Sequence, residues 1–182
     1  SPKPPAITIL GLGQMGLVCA GILGAADPAR AELPSVTLWG HSAEEAGALA
    51  QARKAKRLPG FKLPDPARVQ INDAAAVKNA SLIVCAIPVQ FIRETLLRLR
   101  PHISAGVPFL SVSKGIENET LLRPSQIIAD ALQDNPDAAA RPIGALSGPT
   151  IAAELARCLP ATMIAAADDP AFALHIQKLF ST

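Results

Sequence analysis

Residues 6–20, AITILGLGQMGLVCA, limit the folds open to this chain more than any other stretch. Ile7, Ile9 and Leu10 form a short apolar run of strand type that breaks at Gly11. Glycines recur at Gly13 and Gly16, and an apolar helical segment follows. In a G-x-G-x-x-G set between a strand and a helix, each glycine has its own task. Gly11 permits a tight turn, Gly13 lets the main chain approach a pyrophosphate, and Gly16 lets the helix pack close to the strand. The helix start then offers unpaired N–H groups and the positive end of its dipole to phosphate oxygens.

The rest of the chain alternates strand and helix, which predicts an α/β class with a doubly wound, largely parallel sheet. Strands are expected at 6–10, 36–39, 69–71, 81–87, 108–112, 143–146 and 160–166. Helices are expected at 14–26, from Ser42 to 52, at 74–78, from Pro88 to Pro101, at 125–132, at 151–156 and over the final segment. SLIVCAI at 81–87 is continuously apolar, as in a parallel strand covered on both faces. In the helix after it, Ile92, Leu96 and Leu99 fall at i, i+4 and i+7. Phe172, Ile176, Leu179 and Phe180 share one face of the last helix. Asp27-Pro28 is expected to stop the first helix and 29–34 to form an inserted loop. Residues 53–68, with Arg53, Lys54, Lys56, Arg57 and Lys62 among three prolines, have no clear period and suggest a basic, partly ordered loop.

In such a sheet, ligands bind beyond the carboxyl ends of the strands. Five successive ends carry suitable residues: Gly11 to Gly16, His41-Ser42, Phe91, Lys114, and Gly148-Pro149-Thr150. Strand 2 ends in Trp39-Gly40-His41-Ser42 with no carboxylate before Glu44 to repel a ribose 2′-phosphate. NADP is therefore tolerated as well as NAD. Moving a hydride to a ketone also needs a proton donor. Among His41, His102, His175 and Lys114, only Lys114 stands at a carboxyl edge near where a nicotinamide would lie.

Composition removes several other classes. A chain of 182 residues reads as one dinucleotide-binding domain over 1–182, and a net charge of +2 gives no footprint for nucleic acid. No apolar run reaches membrane-spanning length and no signal peptide is visible, so no membrane insertion and a cytoplasmic location are expected. Cys19, Cys85 and Cys158 form no C-x-x-C, nothing has metal-ligand spacing, and Asp168-Asp169 reads as a helix start.

Six stretches spread along the chain resemble the bacterial-type NAD(P)-dependent glycerol-3-phosphate dehydrogenases. They are LGLGQMG, VTLWGHS, RLPGFKLP, LIVCAIPVQFIRETL, SVSKGIENETL and ALSGPTIAAELARCLPA. The last two are the most specific, because dinucleotide folds in general lack them. The resemblance implies a Rossmann-like cofactor domain in which Gly11, Gly13, Gln14, Met15 and Gly16 hold the pyrophosphate. His41 and Arg57 would serve the adenosine ribose or its phosphate, and Phe91 and Ala152 would lie against the nicotinamide half. Lys114 would touch both cofactor and substrate, with Gly148 and Thr150 on the substrate. The implied substrate pair is dihydroxyacetone phosphate and sn-glycerol 3-phosphate, feeding glycerophospholipid synthesis.

Met15 stands where the family has an aromatic residue, Arg57 where it has tyrosine, and Thr150 where it has serine. The family's principal catalytic lysine and much of its phosphate site belong to an all-helical C-terminal domain, expected to be absent from this chain. The fragment alone is then expected to be nearly inactive, with a homodimer left to the full-length protein. GLGQMG is also similar to the glycine loop of 3-hydroxyacid dehydrogenases, and a non-catalytic dinucleotide-sensing module is the remaining alternative.

Overall fold

The computed structural model describes residues 4–25, 33–134 and 140–181. Among these the chain forms seven strands and seven α-helices in alternation, and the strands join one sheet in the order β3-β2-β1-β4-β5-β6-β7. β1 (Ala6–Leu10), β2 (Ser35–Trp39), β3 (Arg68–Gln70), β4 (Leu82–Cys85), β5 (Phe109–Ser111) and β6 (Ile143–Ser147) run parallel, while β7 (Ile164–Ala167) pairs antiparallel with β6. The order reverses direction at β1, so the crevice beside the carboxyl ends of β1 and β4 is the topological switch point of a doubly wound sheet.

Alternation along the strands sorts side chains onto two covered faces. Ile7 and Ile9 of β1, Val84 of β4 and Leu110 of β5 pack with α1 (Gln14–Gly24), α2 (Ala43–Ala52) and α7 (Pro170–Phe180). Leu10, Ile83, Cys85 and Phe109 pack on the other side with α3 (Asp73–Val77), α4 (Ile92–Leu99) and α5 (Pro124–Leu132). The spacing at Ile92, Leu96 and Leu99 places all three fully inside. Phe172 and Ile176 of α7 are buried, and Leu179 and Phe180 are partly so. α6 (Ala152–Leu155) is a single turn, shorter than its expected span.

The first helix is described only to Gly24 and its following residue, so the expected stop at Asp27-Pro28 and most of the inserted loop lie outside the described residues. The basic loop is better anchored than its aperiodic sequence suggested. Leu58 and Leu63 are buried beneath it, and Lys54 and Lys62 form an antiparallel bridge across it. Arg53, in the left-handed region at φ 55°, turns inward to donate to the Ala67 carbonyl at 3.0 Å and to that of Pro64.

Burial pushes the Cys19 thiol up to about 12 and that of Cys85 up to about 11, so both stay protonated at neutral pH, whereas Cys158 is exposed. Among the described residues no helix is long and apolar enough to cross a membrane, and no group of three or more His, Cys, Asp or Glu side chains is placed to hold a metal ion.

Candidate dinucleotide site

The glycine loop is locked by backbone contact. Gly11 sits at φ +112°, a conformation side chains rarely adopt, and a Cβ there would lie 2.6 Å from the Ala86 carbonyl oxygen. A Cβ on Gly16 would lie 2.2 Å from the Gly11 carbonyl oxygen. Gly13 differs from both. Its backbone is ordinary, at φ −69° and ψ 174°, and a Cβ on it would meet nothing within 4 Å. Packing therefore does not require glycine at this position, while a ligand approaching the main chain would.

Gly13 is also the N-cap of α1, and it opens a helix with no side-chain cap and no acid in its first turn. Ser42, Asn72 and Asp169 do cap α2, α3 and α7 with side-chain oxygens. The first N–H groups of α1 are thus left for an external acceptor.

This loop forms one wall of a cleft of about 730 Å³ at the switch point. The fold brings Gly11, Gly13, Gln14, Met15, His41, Arg57, Phe91, Lys114, Thr150 and Ala152 to the cleft lining. Gly16 lies behind the loop, in the role of close packing. Gly148 stands just outside the lining, where its carbonyl accepts a 3.1 Å hydrogen bond from Lys114 Nζ, and a Cβ on it would strike the Thr162 carbonyl. His102 falls in the 3₁₀ turn after α4 and His175 on α7, and neither lines the cleft.

Lys114 is carried on a braced loop. Gln90 Nε2 donates to the Ile116 carbonyl at 2.9 Å, and its Oε1 accepts from Asn118 N–H at 2.9 Å. Arg93 of α4 donates through Nε and Nη2 to the two oxygens of Glu117, each at 2.9 Å, and also to Asp130. Thr120 Oγ1 adds a 2.5 Å bond to Glu117. The Arg93 guanidinium, and then the Thr120 hydroxyl, hold the Glu117 carboxyl below its usual 4.5. On the turn that offers the Gly148 carbonyl to Lys114, Thr150 Oγ1 is buried without a hydrogen-bond partner.

Several lining residues escaped the sequence reading. Glu94, Thr95 and Arg98 of α4 join Phe91 at the cleft lining, to one side of the buried stripe of Ile92, Leu96 and Leu99. Their spacing of three and four was the available signal. Arg98 grips Asp73 through Nε at 2.6 Å and Nη2 at 2.9 Å, lies 5.5 Å from the centre of the Trp39 ring, and so joins α4 to α3 and β2. Trp39 Nε1 donates to the same Asp73 carboxylate at 3.1 Å. Glu45 was the other omission. The end of β2 carries no carboxylate, but α2 brings Glu45 to the cleft lining, where it meets Arg57 Nε at 2.7 Å.

A doubly wound α/β sheet with a glycine loop at its switch point and an uncapped helix behind that loop defines a Rossmann-like chain. The family model described as NAD-dependent glycerol-3-phosphate dehydrogenase N-terminus matches residues 6–173, and the chain belongs to that family. A glycerol-3-phosphate dehydrogenase of NAD(P)+ type from Lactobacillus delbrueckii subsp. bulgaricus is 33% identical over 174 residues, covering 96% of this chain and 50% of that protein. One from Rhodopseudomonas palustris is 37% identical over 163 residues, covering 90% and 46%. The chain thus spans about half the length of the curated relatives it matches.

Among solved structures, glycerol-3-phosphate dehydrogenase from Coxiella burnetii superposes with a TM-score of 0.85 at 23% identity, over 100% of this chain and 52% of that one. The enzyme from Saccharomyces cerevisiae gives 0.80 at 25% identity, over 99% and 54%. Family membership turns the reading away from 3-hydroxyacid dehydrogenases.

Proposed function

We propose that this chain is the nucleotide-binding part of an enzyme that interconverts dihydroxyacetone phosphate and sn-glycerol 3-phosphate, using NADPH or NADH. Gly13 carries the reading. It has an ordinary backbone and open space where its side chain would be, beside two glycines closed by their neighbours. The relatives' names supply the reaction.

The main chain of 11–16 and the free N–H groups of α1 would hold the pyrophosphate, with Gln14 and Met15 beside it. His41 and Arg57 serve the adenosine ribose end, and Phe91 and Ala152 the nicotinamide end. Reduced nicotinamide held there would supply the hydride for a substrate's carbonyl carbon, and the carbonyl oxygen would take up a proton. Lys114 Nζ, already an N–H donor to the Gly148 carbonyl, is the group of this chain that can donate toward the substrate oxygen as it gains negative charge. Thr150 lines the cleft with its buried hydroxyl unpartnered, and it would bind a polar substrate atom by turning that hydroxyl outward, with Gly148 two residues before it.

Cytoplasmic placement agrees with buried, unpaired Cys19 and Cys85. The 182-residue chain by itself should bind reduced dinucleotide and give negligible reduction of dihydroxyacetone phosphate. Titration calorimetry with an assay of nucleotide oxidation tests both points. Absence of binding would remove the proposal, and full turnover would show that these residues suffice for the chemistry.

A further inference from the structure

We infer that the Glu45–Arg57 ion pair sets the choice between the two nicotinamide dinucleotides, Glu45 disfavouring and Arg57 favouring a phosphate on the adenosine ribose. This rests on the dinucleotide reading above. Both side chains line the cleft beside Gly40 and His41, at the end of β2 where a doubly wound sheet receives the adenosine ribose. They reach that place by independent routes. Glu45 stands in the first turn of α2, whose start Ser42 fixes by accepting from the Glu45 N–H at 3.3 Å. Arg57 comes from the anchored basic loop, and its carbonyl is tied to the glycine loop by Gln14 Nε2 at 2.7 Å.

The pair has little value for stability. Arg57 is 65% exposed and Glu45 35%, and a single solvent-facing ion pair contributes little to folding. It does matter to the ribose. A carboxylate here accepts from a 2′-hydroxyl and repels a 2′-phosphate, while a guanidinium fork prefers the phosphate. Glu45 engages only Nε of Arg57, so the terminal nitrogens Nη1 and Nη2 remain available for an anion with the pair intact. A second hollow of about 1000 Å³ shares Glu45 and Arg57 as lining, so the pair stands in the partition between the two spaces. With the charges matched, the site admits both dinucleotides. Removing either charge unbalances it in an opposite direction.

The test is titration of the 182-residue chain with NADPH and with NADH, followed by energy transfer from its one tryptophan, Trp39, which lines the cleft. Arg57→Gln is expected to weaken NADPH about tenfold or more and NADH by less than about threefold, the scale of a charge-assisted hydrogen bond. Glu45→Gln is expected to tighten NADPH about threefold or more. The double variant should fall between the two, and melting temperatures close to wild type would show the fold intact. An unchanged NADPH-to-NADH ratio in all variants, while the wild type binds both, overturns the inference alone. A wild-type chain that binds neither nucleotide overturns the dinucleotide reading and this inference together.

Discussion

At the glycine-loop end of the cleft, β1 and α1 approach so closely that the Gly16 position faces the Gly11 carbonyl, and Leu10, Ile9 and Leu17 beside them are buried. At the Lys114 end, a one-turn helix and an antiparallel edge strand leave Ile151, Leu159 and Ile164 exposed and Thr150 Oγ1 unpartnered. One end is fixed by main-chain geometry. The other depends on side chains that reach across a loop, such as Arg93 on Glu117 and Lys114 on Gly148. The contrast separates the requirements of folding from those of chemistry along a single cleft. Substitution of the closed glycines at the first end should be felt as stability, and substitution of Lys114 at the second as reactivity.

The severest test of that separation is Gly16→Val. Replacing a helical glycine ordinarily gains up to about 1 kcal/mol. Here the added atoms would overlap the Gly11 carbonyl, so a net loss of roughly 3 kcal/mol or more is expected by denaturant unfolding. A neutral result would mean that the β1–α1 contact is looser than described.

Next in size is Lys114→Ala at the opposite end. In an enzyme of the proposed function that contains this chain, it should cost about a hundredfold in kcat while nucleotide affinity changes less than about threefold. Steady-state kinetics beside a binding isotherm separate the two. Equal losses in both would place Lys114 with the cofactor alone.

A smaller effect is expected from Glu117→Gln. Its folded carboxyl is held below the usual value, so its contribution to stability is present above about pH 4.5 and is lost as pH falls through the lower, folded value. Melting curves of wild type and variant should differ most near neutral pH and converge in acid. Curves that stay parallel would show that the Arg93–Glu117 brace contributes nothing. Smallest of all is Ile164→Ser on the edge strand. At 69% exposure this side chain should change stability by no more than about 0.5 kcal/mol. A larger loss would show that this surface is covered in solution.

The same contrast explains what could be read from the sequence. The β1 run, the glycine spacing and the Ile92, Leu96 and Leu99 stripe are local patterns, and each maps onto an element because one short segment contains all it needs. Anchoring of the basic loop has no such pattern. Leu58 and Leu63 follow no period, and Arg53 finds its carbonyl acceptors 11 and 14 residues away. The Trp39–Asp73–Arg98 tie joins residues 34 and 25 positions apart, so no spacing rule announces it. Glu45 escaped for a related reason. The end of β2 correctly showed no carboxylate, but the approach of α2 and of Arg57 is a tertiary fact. At the Lys114 end, the alternation placed Lys114 and Thr150 at strand ends without showing that Gly148 would turn its carbonyl to the lysine.

The central claim is that the open side of Gly13 is the seat of a diphosphate, and Gly13→Val tests it most directly. The backbone angles there suit valine, and nothing in the fold lies within 4 Å of the added Cβ. The melting temperature should therefore stay within about 4 °C of wild type, the span of the roughly 1 kcal/mol by which glycine is preferred to valine at a helix N-cap. Calorimetric affinity for NADPH should fall more than about tenfold. Unchanged affinity in a normally folded variant would contradict the account.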